Sequence, residues 1–558
     1  MSKNRRKVPR LVPIATVLST AACLLANQAT AQSALHLISP SPLPTTQQLP
    51  NGEAGNIAVG QHSEPVAVNN DQNIHFVLRG VQFQGVTAIW PSVLAGLQRG
   101  LIGKTVSSND IVQIGKQLSK LYEAAGYALV NVQVPVQDFA GGIAKIVVQE
   151  GYVDRVTIEG NTKDADLDLL KAYAAHIIVD RPLRQRTLER YILLMNDIPG
   201  LKVGSSFEPV PGHPGVAALH LVIQRRHFEA GGALTTQGND QLGSSQLTMN
   251  IIGDSLLHEG DRTQAVVGFP LGFSRYQYYG LNHVEPLGTD GATITVGAGE
   301  LVTHPTSNAT NGTADALTVR ISYPLIRALH ESLVVNGDFN YLDANSAYLG
   351  QSLSDERTRS VRLGAIYGLE DGWKGTTIIS ATVSQGLNIL GARRGSEGFG
   401  GPDYNKFNGA VAREQALPLD LVLRAKVFWQ YSTDRLPSTE QFLFGGPDIG
   451  KAFNYAFLSG DRGVAPYIEL AHPWPAQITP DFLAGSEVFG YADWGKVWHV
   501  VTPVPFDSAQ AASAGFGVRF KFLKSIVVEM GAGWVLNESP GLPSQDSPRF
   551  IFNVGGHF

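Results

Sequence analysis

Ser255 is the first residue whose neighbours suggest chemistry. It stands in Gly253-Asp254-Ser255-Leu256, a string that carries a serine nucleophile in some hydrolases. A serine nucleophile needs a base to take its proton. No Asp-x-x-His follows near the C-terminus, and His258-Glu259-Gly260-Asp261 reads as a turn between strands. Gly-x-Ser-x-Gly, the phosphate-binding Gly-rich loop and His-Glu-x-x-His are all missing, and the 14 histidines are scattered without metal-ligand spacing. The single cysteine, Cys23, lies in an apolar N-terminal run. Neither an enzymatic activity nor a cofactor is expected from these residues.

The N-terminus fixes the expected compartment. Lys3, Arg5, Arg6, Lys7 and Arg10 precede an apolar stretch from Leu11 to Ala26, and Ala29-Thr30-Ala31 makes a small-residue cleavage site. Residues 1–31 therefore read as a secretory signal peptide. Cys23 falls within it, so the mature chain has no thiol to mis-oxidise. The chain holds 43 Lys+Arg against 48 Asp+Glu, and the signal takes five of the cations and no acid. The remainder carries a net charge of about −10, the wrong sign for non-specific nucleic-acid binding. Past the signal, no apolar run reaches the roughly 18 residues of a spanning helix. If such a chain crosses a membrane, it must do so as a closed barrel.

Residues 32–73, rich in Pro, Gln, Asn, Ser and Gly, read as a flexible linker. Pro40, Pro42, Pro44 and Pro50 argue against a long helix there. From 74 to 151 a compact module is expected. Val77, Val81 and Phe83 begin it in extended form. A helix follows, with Ser107 and Asp110 as a capping box and Ile111, Ile114, Leu118, Leu121 and Tyr122 on one face. Gly126-Tyr127 ends that helix, and strands follow over Ala128–Val136 and Ile143–Val148. The same order recurs over 152–225, with a strand from Val153, a helix marked by Leu167, Leu169 and Leu170, and a second by Leu188, Tyr191, Ile192 and Met195. Asn196-Asp197-Ile198-Pro199-Gly200 stops the second helix, and strands Leu201–Glu208 and Val216–Gln224 close the unit. The repeat period is about 75 residues.

From 227 to 558 the texture becomes alternation. Leu421, Leu423, Ala425, Val427, Trp429 and Tyr431 share one face, with Arg424, Lys426 and Gln430 on the other. Phe516, Val518, Phe520 and Phe522 alternate with Gly515, Gly517, Arg519 and Lys521; Val528, Met530, Ala532, Trp534 and Leu536 alternate with Glu529, Gly531 and Gly533. The last segment runs Phe550, Phe552, Val554 and ends at Phe558. Segments of about ten residues in this pattern are transmembrane β-strands, and about sixteen can be counted. A soluble sandwich also alternates, but needs far fewer strands. The predicted fold is a transmembrane β-barrel of about sixteen antiparallel strands preceded by two small α+β domains.

Taken together these features resemble the two-partner secretion transporters, the haemolysin/filamentous-haemagglutinin exporter family within the outer-membrane insertase and translocase superfamily. The two modules resemble polypeptide-transport-associated (POTRA) domains. The first does so through Gly126-Tyr127, Pro135-Val136-Gln137-Asp138 and Val148-Gln149-Glu150-Gly151, the second through Asn196-Asp197-Ile198-Pro199-Gly200. Phe444-Gly445-Gly446 to Phe453, followed by Leu458-Ser459-Gly460-Asp461-Arg462-Gly463, resembles the family's inward-folded loop. Its tip, normally Val-Arg-Gly-Phe/Tyr, is here Gly450-Lys451-Ala452-Phe453. Tyr491-Ala492-Asp493-Trp494-Gly495 resembles the strand whose Asp pairs with the tip Arg.

The resemblance implies that Lys451 pairs with Asp493, with Gly495 beside it on the wall and Arg462 as a reserve cation. Physically, a wall carboxylate would offset the desolvation of a cation brought into the lumen. Lysine supplies a point charge where arginine would give two parallel hydrogen bonds. It further implies export across the outer membrane of a secreted partner protein (adhesin, haemolysin or contact-dependent toxin) with an N-terminal secretion domain. The barrel would contact lipid and the POTRA domains would stand in the periplasm. The expected capture groove lies between helix 110–122 and strand 128–136, with Leu118, Tyr122, Val132 and Val134, although the same residues would serve as module core. Capture by strand addition to a free sheet edge is the other expectation. A barrel-assembly factor and a passive porin are the competing functions; two modules, in an arm of about 150 residues, favour export over both.

Overall fold

The computed structural model describes residues 62–63, 74–160, 167–238, 242–304, 310–348, 351–395, 399–475, 477, 479–500, 507–523, 525–542 and 544–558. The signal peptide, and the linker apart from His62–Ser63, lie outside them, as does the expectation that 32–73 holds no plugging helix.

The first module holds strands β1 (His62–Ser63), β2 (His75–Val77), β3 (Gly80–Gln84), β4 (Thr105–Ser107), β5 (Val130–Gln133) and β6 (Ile143–Glu150), with helices α1 (Pro91–Gln98) and α2 (Ser108–Ala124). The capping box is present at the start of α2. Ser107 Oγ accepts from Asp110 N at 3.3 Å, and Asp110 Oδ2 accepts from Ser107 N at 2.7 Å. The reciprocal bonds satisfy two amides that a helix start otherwise leaves open. Past α2, Gly126 turns the chain with φ +78°. The main sheet runs β1-β5-β6-β3, so the linker residues His62 and Ser63 pair in parallel with Val130 and Asn131 at one edge. Leu78, Ile111, Leu118, Tyr122, Val132 and Ile146, all fully buried, form its core.

The second module repeats the plan with β7 (Tyr152–Gly160), α3 (Asp168–Val179), α4 (Gln185–Asp197), β8 (Leu201–Pro209) and β9 (Val216–Arg225), in sheet order β7-β9-β8. Asn196 pins the end of α4. Its amide donates to Ile192 O and Val203 O, and its Oδ1 accepts from Val203 N at 2.9 Å. The two modules share backbone bonds: Ala128 N donates to Leu183 O, Leu183 N to Gly151 O and Gln185 N to Gly126 O.

Sixteen strands close the barrel, joined antiparallel in chain order with the last paired to the first. They are β10 (Phe228–Thr235), β11 (Gln246–Asp254), β12 (Arg262–Pro270), β13 (Tyr276–Leu287), β14 (Ala292–Thr303), β15 (Thr310–Arg327), β16 (Glu331–Tyr348) and β17 (Gln351–Asp371). After these come β18 (Gly375–Gly386), β19 (Asn405–Ala416), β20 (Val422–Ser432), β23 (Arg462–Pro473), β24 (Glu487–Trp498), β25 (Ser508–Phe522), β26 (Ile526–Glu538) and β27 (Arg549–His557). Two short strands, β21 (Phe442–Phe444) and β22 (Leu458–Gly460), form a ladder of their own inside the loop after β20. The seam joins Gly231–Thr235 to Asn553–His557, and Phe558 extends it by exchanging two backbone bonds with Ala230.

The alternation has its physical counterpart in burial. Along β23, Tyr467, Glu469 and Ala471 are buried in the lumen while Ile468 and Leu470 are exposed on the outer wall. A ring of exposed Leu281, Ile321, Leu363, Val383, Phe516 and Met530 continues that outer face, as lipid solvation requires. Among the described residues no helix is long and apolar enough to cross a membrane; strands do the crossing. β15, β16 and β17 run 18, 18 and 21 residues, more than the roughly 9–11 a span needs. Their excess carries ion pairs: Arg359, fully buried, reaches Asp343 at 2.7 Å and stacks over the Tyr341 ring, and Arg357 reaches Asp355 at 3.1 Å.

The Gly253–Leu256 string sits at the turn between β11 and β12. Asp254 makes two bonds to Arg262, Ser255 Oγ accepts from Gly260 N, and Asp261 accepts from the amides of Leu256, Leu257 and His258. Each group of the string is spent on closing the turn.

Candidate functional site

The loop between β20 and β23 folds into the lumen and is built to be buried. Phe442, Phe444, Ile449, Ala452, Phe453 and Leu458 are each 2% exposed or less. Phe453 stacks on Phe457 with ring centroids 4.8 Å apart and meets Phe444 in a tilted contact at 5.6 Å. The wall makes room for this. A Cβ on Gly495 would lie 2.2 Å from the Phe444 ring, so only glycine seats the loop there. This explains why the wall strand carries Gly495 two residues after Asp493, on the same lumenal face.

At the tip, Gly450 adopts φ +72° and presents two successive amides to the wall. Asp493 Oδ2 accepts from Gly450 N at 3.0 Å and from Lys451 N at 3.1 Å, and Oδ1 accepts from Ser513 Oγ at 2.5 Å. Asp493 is 5% exposed, so its charge is met by three donors in place of water.

The Lys451 ammonium goes elsewhere, which corrects the expected Lys451–Asp493 side-chain pair. Lys451 Nζ lies 3.1 Å from Glu529 Oε1, with the rings of Tyr467, Phe489 and Tyr491 at 5.3–5.6 Å. The physical reason is that the tip backbone fills Asp493, leaving the ammonium to a second carboxylate flanked by aromatic faces. Phe453 packs into the buried cluster beside the tip, Ala452 is buried next to it, and Gln237 Nε2 donates to Lys451 O at 3.1 Å.

Glu529 belongs to a larger lumenal array that the sequence reading did not assemble. Arg519 reaches Glu469, Glu487 and Glu529, while Arg424 reaches Glu414, Glu469 and Glu487. Four of these contacts join direct cross-strand neighbours: Glu414 with Arg424, Arg424 with Glu469, Glu487 with Arg519, and Arg519 with Glu529. Opposite charges at such positions support the ladder that carries them. The signal lies in the polar face of the alternating segments, which carries Arg424, Arg519 and Glu529. What was missing was the register that makes them neighbours.

Arg462 is not part of the tip. It starts β23, donates to Ser432 O at 2.6 Å and lies over the Tyr431 ring. The reserve role expected of it is therefore corrected to one at the mouth of the loop.

The expected capture groove is also corrected. Leu118, Tyr122 and Val132 are 0% exposed and Val134 is 7% exposed, all within the core of the first module. An amphipathic helix packed on a sheet spends its apolar face on that sheet and leaves no groove. Tyr122 does hold a polar role: its hydroxyl donates to Glu150 Oε1 at 2.5 Å. Burial by itself would raise the Glu150 pKa. Bonds from the Thr87 hydroxyl, the Tyr122 hydroxyl and the amides of Ala88 and Thr87 outweigh it and hold the carboxyl below its ordinary range.

A closed sixteen-stranded barrel with a loop pinned in its lumen, preceded by small α+β modules, defines an outer-membrane polypeptide transporter. Comparison with known proteins agrees. The model of the haemolysin secretion/activation protein ShlB/FhaC/HecB family matches residues 221–520, and that of the ShlB-type POTRA domain matches residues 76–151. The chain is 23% identical over 506 residues to the outer membrane transporter CdiB of Dickeya dadantii (strain 3937), covering 87% of each. It is 24% identical over 529 residues to the hemolysin transporter protein ShlB of Serratia marcescens, covering 88% of each. The solved structure of CdiB from Escherichia coli superposes with a TM-score of 0.72 at 17% identity, over 99% of this chain and all of that one. The chain belongs to the haemolysin secretion/activation protein ShlB/FhaC/HecB family, and is a two-partner secretion transporter of the outer membrane with its POTRA domains in the periplasm.

Proposed function

We propose that the loop between β20 and β23 is the lid of the export path, that Asp493 is its catch, and that a large secreted partner polypeptide passes when the tip leaves the wall. The observation that carries this is the pair of tip amides, Gly450 N and Lys451 N, held by one buried wall carboxylate inside a closed barrel. Lys451 on Glu529 adds a second hold. The relative ShlB is named a hemolysin transporter; the partner expected here is a large secreted adhesin, haemolysin or contact-dependent toxin with an N-terminal secretion domain. The reading requires no catalysis, since passage needs a path and a bias rather than bond chemistry.

Capture in the periplasm is assigned to strand addition on the module sheets. β3 ends the first sheet, and β7 and β8 end the second; none has a second strand partner among the described residues. Main-chain bonding at such an edge makes few demands on client side chains.

The test is secretion by the cells that carry this gene. Proteins in the medium are compared between wild type, Asp493→Ala and Lys451→Ala at equal levels of heat-modifiable barrel. With a hold removed the tip leaves the wall more readily, so both variants are expected to export more than wild type. Wild-type export from both would remove the loop from the mechanism.

A further inference from the structure

The loop is also held where it leaves the wall, by charges that the tip does not use. Just past β20, Ser438–Glu440 form a 3-10 turn. Glu440 is 2% exposed. Its Oε1 accepts from Arg362 Nη2 at 2.8 Å, and its Oε2 lies 2.5 Å from Lys406 Nζ. Its carbonyl accepts from Lys406 Nζ at 3.1 Å and from Gln430 Nε2 at 3.0 Å. One step earlier, Glu356 accepts from Ser438 N, Thr439 N and Thr439 Oγ1, at 2.8, 3.1 and 2.5 Å. β17, β19 and β20 thus converge on three consecutive loop residues. The returning limb is tied in as well: Asp461 accepts from Leu436 N, Gln441 Nε2 and Val500 N.

The two holds differ in what release would strand. When the tip leaves, Glu529 keeps Arg519 and Asp493 keeps Ser513, so the wall charges stay met. At the neck, the hydrogen bonds and ion pairs of Lys406 and Glu356 among the described residues all go to the loop, and both side chains are buried. Pulling Glu440 away would leave a buried cation and a buried carboxylate without partners, which protein interiors tolerate poorly. Release at the tip is therefore the favoured motion.

We propose that Glu440, between Lys406 and Arg362, is the fixed end of the lumen loop: a positioning residue about which segment 445–457 swings while 436–441 stays in place. The idea rests on the loop being the lid. Its test uses no client, so its failure leaves the export reading standing.

The experiment uses the full mature chain in planar bilayers in KCl, with heat-modifiability confirming a closed barrel. Lys451→Met is expected to raise open probability about tenfold or more, while its open level stays below that of a barrel deleted for 436–460. Glu440→Gln added to Lys451→Met is expected to raise the open level toward that of the deletion, and Glu440→Asp to restore the lower level. An open level unchanged by Glu440→Gln would overturn the proposal. A second measurement needs no change at the neck. Cys23 is the sole cysteine of the chain, so single cysteines can be placed cleanly. In a Lys451→Met background, maleimide labelling from outside is expected to rise at Ala456→Cys and to stay level at Ser438→Cys. An equal rise at both positions would overturn the proposal.

Discussion

Asp493→Ala is the sharpest perturbation of the closed loop. The carboxylate is 5% exposed and takes two amides of the tip and one wall hydroxyl. The two amides belong to the moving part. In the open state they would find water; in the closed state of the variant they face an apolar stub. A hydrogen bond to a charged acceptor contributes about 1.5–3 kcal/mol, so losing both gives at most about 3–6 kcal/mol against closure. Water entering the space left by the carboxylate recovers part of this, leaving about 3 kcal/mol. At 1.4 kcal/mol per factor of ten, closure weakens by roughly two orders of magnitude. Asp493→Asn keeps an acceptor of the same shape without the charge and should cost about half as much, near tenfold. The assay is open probability of the purified chain in planar bilayers, on protein whose heat-modifiability matches wild type. The expected order is Asp493→Ala above Asp493→Asn above wild type. A heat-modifiable Asp493→Ala barrel as closed as wild type would refute the reasoning.

Three further outcomes follow from the same geometry. Lys451→Met removes an ammonium from Glu529 and from three ring faces, a loss of about 2 kcal/mol or roughly thirtyfold in closure, whereas Lys451→Arg should stay near wild type in the same recordings. Leu118→Ala should destabilise the first module by about 2–5 kcal/mol, seen as earlier proteolysis in urea; a module of undiminished stability that had lost client capture would contradict its assignment to the core. Glu150→Gln should speed amide exchange over 85–90 about tenfold at pH 7. Because the folded Glu150 pKa lies below its unfolded value, the contribution is full above that unfolded value. It is lost as pH falls through the folded one, so variant and wild type should converge in acid.

Much of the fold was legible because its signals are local. The box at Ser107 and Asp110 needs only a three-residue spacing, and the alternation in 421–431 needs only period two. The number of strands followed from counting such segments. The candidate site was legible as far as motif strings reach: Asp493, Gly495 and the 450–453 tip do meet in the lumen. Which atoms pair was not legible. That Asp493 takes backbone amides, and Lys451 a carboxylate 78 positions away, depends on how far the loop descends and on the register of β24 to β26. The groove failed for another reason. An apolar stripe on a helix is the same string whether it meets a client or its own sheet, and here β5 and β6 already cover it.

The unequal strand lengths bear on what happens outside the cell. At about 3.3 Å per residue and a tilt near 45°, β15 to β17 rise about 40–50 Å, against an apolar band about 25 Å tall. The surplus of β16 and β17 is stiffened by Arg359 and its partners and stands at the mouth from which the lumen loop enters. A polypeptide emerging there would pass beside a taller stretch of wall whose surface carries paired charges.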